Sequence, residues 1–206
     1  MAGIGSVAIT LVDWGIWAIY FTVVLLLLAF YRWSKQEVHY RYFIAGFIIK
    51  VFGGLAYVHI FNYYYEFGDT FHYFKGAAEL SNLLIDDPVN YFKLMATESG
   101  KFPAELSQVA NNIHYSKTSE EWFMVKLLSP LTLISFQSYL VNTLFLSLIS
   151  FWGAWKLFLV FRDVLPERED LAFFAVFLVP SSLFWCSCIM KDTITLAGIN
   201  YIIYAL

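Results

Sequence analysis

The chain has 206 residues, 60% of them hydrophobic, 20% aromatic and 14% charged, with a formal net charge of -3. A soluble domain is roughly 45–50% apolar and about 25% charged, so this composition excludes an ordinary water-soluble fold. The small net charge, without any Lys/Arg cluster, excludes a nucleic-acid surface.

The apolar residues fall in runs, as a bilayer requires. The expected fold is an all-α, polytopic transmembrane helical bundle: one membrane domain over residues 1–206, with an outer loop containing juxtamembrane amphipathic helices. Residues 1–13 hold no Lys or Arg, hence no positively charged leader, and the first apolar run is expected to be kept as a helix. That run, 14–31, carries no charge and ends at Arg32, Trp33 and Lys35. The second, 42–61, is interrupted by Lys50. A polar segment, 62–126, separates it from a long apolar stretch, 127–161, in which Lys156 is the only charge. That stretch exceeds the about 20 residues one span needs. Pro130 and the Ser/Thr/Gln residues after it suggest a break, with an interfacial or re-entrant piece before a span at 138–161. A fourth span is expected at 171–189 and a fifth, incomplete, at 193–206. The last run, about 21 Å as a helix against a core of about 30 Å, stops without a cap, as expected of a piece of a longer protein.

All four arginines, Arg32, Arg41, Arg162 and Arg168, lie in loops 32–41 and 162–170. By the positive-inside rule those loops face the cytoplasm and segment 62–126 faces outward. The expected location is a bacterial inner membrane, crossed several times, with the outer segment periplasmic or extracellular. Cys186 and Cys188 lie two apart in an apolar run and match no zinc spacing. They read as small buried hydrophobes.

Segment 62–126 holds nine acidic residues and five lysines and carries clear helix-start signals. Asp87-Pro88 caps and opens a helix over 89–98. Thr118 with Glu121 forms a capping box ahead of 122–128. Phe71, Phe74, Ala78 and Leu84 recur near helical spacing, which predicts an amphipathic helix on the membrane surface over 70–85. Tyr63, Tyr64, Tyr65, Phe67, Tyr73 and Phe74 suit the headgroup level.

The run Glu66-Phe67-Gly68-Asp69-Thr70-Phe71-His72-Tyr73 concentrates the chemistry. On a helix starting near Asp69, His72 and Tyr73 share its face at i+3 and i+4. Such a carboxylate can act as general base on a hydroxyl or hold a divalent cation with Glu66 and His72, although no known ligand spacing is matched. The plain structural alternative is that Asp69 is an N-cap. Lys50, mid-span, is either a snorkelling or cleft-facing lysine or a counter-charge for an anionic lipid phosphate. Lys191-Asp192 is either a local ion pair or a phosphate contact. Pro180-Ser181-Ser182 is expected to kink the fourth span. His59 reads as an interfacial polar residue.

Asp69-Thr70-Phe71-His72-Tyr73 followed by Ala77-Ala78-Glu79-Leu80 resembles the first outer loop of the GT-C superfamily of glycosyltransferases. Those enzymes use polyprenyl-phosphate sugars. The resemblance implies that Asp69 activates an acceptor hydroxyl and that the partners are a lipid-linked sugar donor and membrane lipids. From their own positions and chemistry, Glu66, His72, Tyr73, Lys50, Lys191 and Asp192 are the further residues expected to contact substrate, the lysines by offsetting the charge of the leaving phosphate. Pro180-Ser181-Ser182-Leu183-Phe184-Trp185 with Lys191-Asp192 is similar to a pattern in polysaccharide-assembly proteins, including O-antigen polymerases. The departures are that Asp69 follows the second span rather than the first, and that Gly-Asp-Thr stands where paired acids are usual. The alternatives to a transferase are a polysaccharide polymerase and a non-enzymatic transporter or assembly subunit, the last suggested by Lys50.

Overall fold

The computed structural model describes residues 6–35 and 37–206, and among them there is helix and no strand. Twelve helical elements follow in order, ten of them α-helices. Three helical stretches are long and apolar enough to cross a membrane: Leu11–Trp33, Val38–Tyr65 and Tyr139–Val164. The first is α1. The second comprises a 3₁₀ turn (Val38–Tyr42), α2 (Phe43–Ile60) and a π turn (Phe61–Tyr65), and the third is α7.

Helix α1 begins where the side chains close a box. The Asp13 amide donates to Thr10 Oγ1 at 3.3 Å, and the Thr10 amide donates to Asp13 Oδ2 at 2.9 Å. These bonds satisfy two of the backbone donors that a helix start leaves open. Only Leu28 of α1 is buried, while Ile19, Val23, Leu26, Leu27 and Phe30 are exposed. Such a surface is costly in water and neutral against lipid tails.

Two compact units make up the chain that reads from sequence as one membrane domain. One comprises Phe61–Asn142 with the residues before Ile9, the other Ile9–Ile60 with Thr143–Leu206. In the first, α3 (Asp69–Asp86), α4 (Pro88–Ala96), α5 (Ala104–Asn112) and α6 (Ser119–Ile134) surround a core that includes Leu80, Tyr91, Leu94, Leu106, Trp122 and Val125. Asp87 Oδ1 accepts from the Asn90 amide at 3.1 Å, the expected cap, and Thr118 Oγ1 accepts from the Glu121 amide at 3.4 Å, the N-cap half of the expected box. Trp122 Nε1 donates to the Thr97 carbonyl at 3.0 Å, tying α6 to the end of α4.

The amphipathic helix over 70–85 is present as α3, but its apolar stripe differs from the expected one. Phe71, Phe74, Ala77 and Leu80 are buried, whereas Ala78 and Leu84 are half-buried. Helix α6 packs along α3, so protein, rather than lipid, covers that stripe. The break after Pro130 falls at residues 135–138, where Phe136 and Gln137 take φ of 52° and 55°. Asn142 holds this corner together by donating to Ser135 Oγ at 2.7 Å and to the Ser138 carbonyl at 2.9 Å.

In the second unit Phe43, Phe47, Phe151, Trp155, Phe158 and Phe177 form an aromatic core. The stretch 171–189, expected to be one span, is not one helix. Helix α8 (Glu169–Phe177) stops, and α9 (Pro180–Trp185) restarts at a proline. Proline supplies no N–H and disfavours a helical conformation for the residue before it, here Val179 at ψ 113°. Residues 186–190 then run without helix to α10 (Lys191–Ala205). Their freed carbonyls find hydroxyls: Ser147 Oγ donates to Ser187 O and Thr193 Oγ1 to Cys188 O, both at 2.7 Å. An interrupted backbone amid apolar helices needs such partners. Both cysteines lie in this irregular stretch as free thiols, Cys188 buried and Cys186 half-buried.

Candidate functional site

The turn into α3 sets the site. Gly68 precedes the helix with φ 151°, a conformation other residues rarely adopt. Gly68 therefore occupies the N-cap position and Asp69 is the first helical residue. The capping alternative for Asp69 is not what forms. Instead Tyr115, from the loop between α5 and α6, donates its phenol hydrogen to Asp69 Oδ1 at 2.7 Å. Asp69 remains exposed. Burial and the donation to Asp69 push the Tyr115 phenol above its ordinary range.

Tyr115 also gathers two of the other expected residues. Its ring stacks on His72 with centroids 4.9 Å apart, and it meets Tyr73 edge-on at 5.2 Å. Tyr73 is buried, so it braces Tyr115 from inside, whereas His72 lines a cleft. His114 stacks beyond His72 at 6.1 Å. It is fixed by Glu79, whose carboxylate accepts from the His114 amide at 2.8 Å and pairs with its Nδ1 at 2.8 Å. A carboxylate, a phenol, two imidazoles and a second carboxylate thus follow one another along the Asp69–Glu79 face of α3.

The cleft has a volume of about 500 Å³, and His72, His114, Tyr115, Lys117, Thr118 and Glu121 are in its walls. Aromatic faces, one cation and one carboxylate surround an open space; Asp69 is not one of its walls and is linked to it through Tyr115. Such a place can hold a small polar molecule and take a proton from it.

The remaining expected residues are not among the groups that meet Tyr115. Glu66 is exposed, at φ 57°, and its amide closes the π turn onto the Phe61 carbonyl at 2.8 Å. Lys50, Lys191 and Asp192 belong to the second unit. Lys50 is 1% exposed, and its Nζ donates to the Ser182 carbonyl at 3.4 Å, beside the interruption between α8 and α9. Asp192 lines a shallow cleft of about 440 Å³ with Ser182 and Cys186, and Lys191 opens α10. Among the described residues no three His, Cys, Asp or Glu side chains gather as a metal-holding group, so the divalent cation considered for Glu66, Asp69 and His72 has no ligand set there.

His114, Tyr115 and the role of Glu79 do not emerge from reading the sequence run by run. One signal does point to them. His72-Tyr73-Phe74-Lys75 and His114-Tyr115-Ser116-Lys117 repeat the same His-Tyr-x-Lys pattern, and the two copies pack on each other in the fold. No family model, curated protein or solved structure matches this chain.

Proposed function

We propose that this chain is a membrane glycosyltransferase of cell-envelope glycan assembly, or part of one. It moves a sugar from a polyprenyl-phosphate donor to a hydroxyl acceptor on the outer face of a bacterial inner membrane. The observation that carries the reading is an exposed carboxylate, Asp69, held by the phenol of Tyr115, a residue that itself walls a cleft together with His72 and His114. In the step, Asp69 takes the acceptor's hydroxyl proton. The acceptor oxygen forms its bond to the anomeric carbon, the bond from that carbon to the phosphate oxygen breaks, and the polyprenyl phosphate leaves with the electron pair. Tyr115 and His72 orient Asp69 and the acceptor. The three apolar helices are consistent with a lipid-borne donor, and the arginine distribution supports an outward site.

The test uses the full chain in membranes supplied with radiolabelled polyprenyl-phosphate hexose. Asp69→Asn keeps an acceptor for Tyr115 but cannot serve as a base. Loss of transfer by two orders of magnitude or more, at normal expression, supports the assignment. Wild-type transfer by the variant removes Asp69 from the chemistry.

One observation favours a second reading, transport. Lys50 is buried within a long apolar helix and bonds a carbonyl beside a helix interruption, an arrangement that transporters use at substrate sites. If Lys50→Met abolishes accumulation of a solute in vesicles while Asp69→Asn does not, transport replaces transfer.

A further inference from the structure

We infer that the cleft beside Tyr115 is one end of a longer groove, and that this groove takes an uncharged oligosaccharide of several units as the acceptor. The inference rests on reading the site as a glycosyl acceptor site.

A second cavity, of about 270 Å³, lies next to the first, and Phe102, Ser107 and Ser116 are among its walls. The two cavities share two wall residues, Asn111 at the end of α5 and Lys117 in the loop before α6. Both residues are exposed, so their side chains are free to swing aside. Alone, the second cavity falls below the roughly 300 Å³ at which small-molecule sites begin. It has the size of a subsite.

The lining selects the ligand. Each end offers an aromatic surface: the stacked His72–Tyr115 pair in the first cavity, Phe102 in the second. Phe102 is set edge-on against Trp122, with centroids 5.5 Å apart. The linings also hold the carboxamides of Asn111 and Asn112, which both donate and accept, and the hydroxyls of Thr118 and Ser107, the latter offering an acceptor because its hydrogen goes to the Ala104 carbonyl at 2.8 Å. A pyranose ring has a matching surface, with C–H groups on its faces and hydroxyls on its edge. Apart from the imidazoles, Lys117 is the one cation in these two linings and Glu121 the one carboxylate. They offset each other, so neither a phosphorylated nor an acidic chain is favoured.

The experiment measures binding of the full chain, in lipid nanodiscs, to an array of neutral and acidic glycans of one to six units. Affinity for neutral glycans is expected to rise at least tenfold from one unit to four. Phe102→Ala should remove most of that rise and leave single-unit binding unchanged. Because Phe102 also packs on Trp122, Ser107→Phe, which fills the second cavity, is the parallel variant, with the same loss expected. Affinity that does not depend on length, equal effects of both variants on one-unit and four-unit glycans, or preference for acidic or peptide ligands overturns the groove. The two readings separate. If Asp69→Asn abolishes transfer but length dependence is absent, the transferase stands and the groove falls. If length dependence holds while Asp69→Asn transfers normally, the groove stands and Asp69 is not the base.

Discussion

Replacing Gly76, which does not itself line the cleft, by alanine should loosen the site from behind, through the backbone of His114. In an ordinary helix interior this change stabilises by about 0.5–1 kcal/mol, because glycine loses more backbone entropy on folding. Gly76 lies on the α3 face that the His114 segment covers. A Cβ built there stands 2.2 Å from the His114 carbonyl oxygen and 2.9 Å from a Val125 methyl. Either α3 or the 113–115 segment must move by roughly 1 Å before that contact is tolerable. The segment is pinned at the same residue by two bonds to Glu79, so the displacement also strains them. Overpacking of this kind costs about 1–3 kcal/mol, and the upper part of that range applies because the obstacle is backbone. Set against the propensity gain, the net loss is about 1–2 kcal/mol. The assay is equilibrium unfolding of the full chain in detergent, with hydrogen exchange at the His114 amide as the local readout. Gly15→Ala is the control, since nothing lies within 4 Å of its built Cβ. If Gly76→Ala is as stable as Gly15→Ala and the His114 amide is equally protected, the packing argument for the site is refuted.

Other outcomes follow from the same geometry. The Tyr115 phenol is raised in the folded state, first by burial and then by Asp69. It therefore adds stability that is complete below the unfolded tyrosine value of about 10 and is lost as pH climbs beyond it. Tyr115→Phe should flatten that alkaline loss in a pH series of unfolding midpoints, and an unchanged slope would show that Tyr115 does not contribute. Glu79→Gln keeps one acceptor but loses the carboxylate pair to His114. Amide exchange at His114 should quicken about tenfold, corresponding to about 1.4 kcal/mol of local opening, and no change would place the restraint elsewhere. Lys50→Met forfeits one long bond to Ser182 O, worth about 1 kcal/mol. It also removes an ammonium from apolar surroundings, where holding it costs about 2.5–3.5 kcal/mol. The variant should be more stable by about 1.5–2.5 kcal/mol in thermal unfolding, and a loss of stability would make Lys50 a structural residue. Gly54→Ala drives a Cβ to 2.4 Å from the Ser187 carbonyl and 2.6 Å from Ser147 Oγ. It should unfold at least 10 °C earlier than Gly15→Ala, and equal midpoints would mean that α2 is not held that close to the 186–190 turn.

Much of the architecture is local, and local chemistry is readable. The runs 14–31, 42–61 and 138–161 are apolar for long enough that only a helix can satisfy their backbone in lipid, and they appear as α1, the Val38–Tyr65 helix and α7. Asp87-Pro88 and Thr118-Glu121 announce helix starts through bonds that span three residues, so no distant partner is needed. Pro180 disrupts the fourth apolar run for an equally local reason, the missing N–H. The second interruption, after α9, is not local: residues 186–190 stay unwound, and the Ser187 carbonyl there depends on Ser147, forty residues away. The site divides in the same way. Asp69, His72 and Tyr73 share a face because a helix has 3.6 residues per turn. That Asp69 serves a phenol rather than capping its own helix depends on Gly68 and on Tyr115, which is 46 positions away. The apolar stripe of α3 is visible in its spacing, yet spacing cannot distinguish a face covered by lipid from one covered by α6, because both exclude water equally. Only the tertiary fold places His114 and Tyr115 over α3, so that His72 becomes the wall of a cleft, Tyr73 a buried brace and Asp69 the acceptor of a phenol.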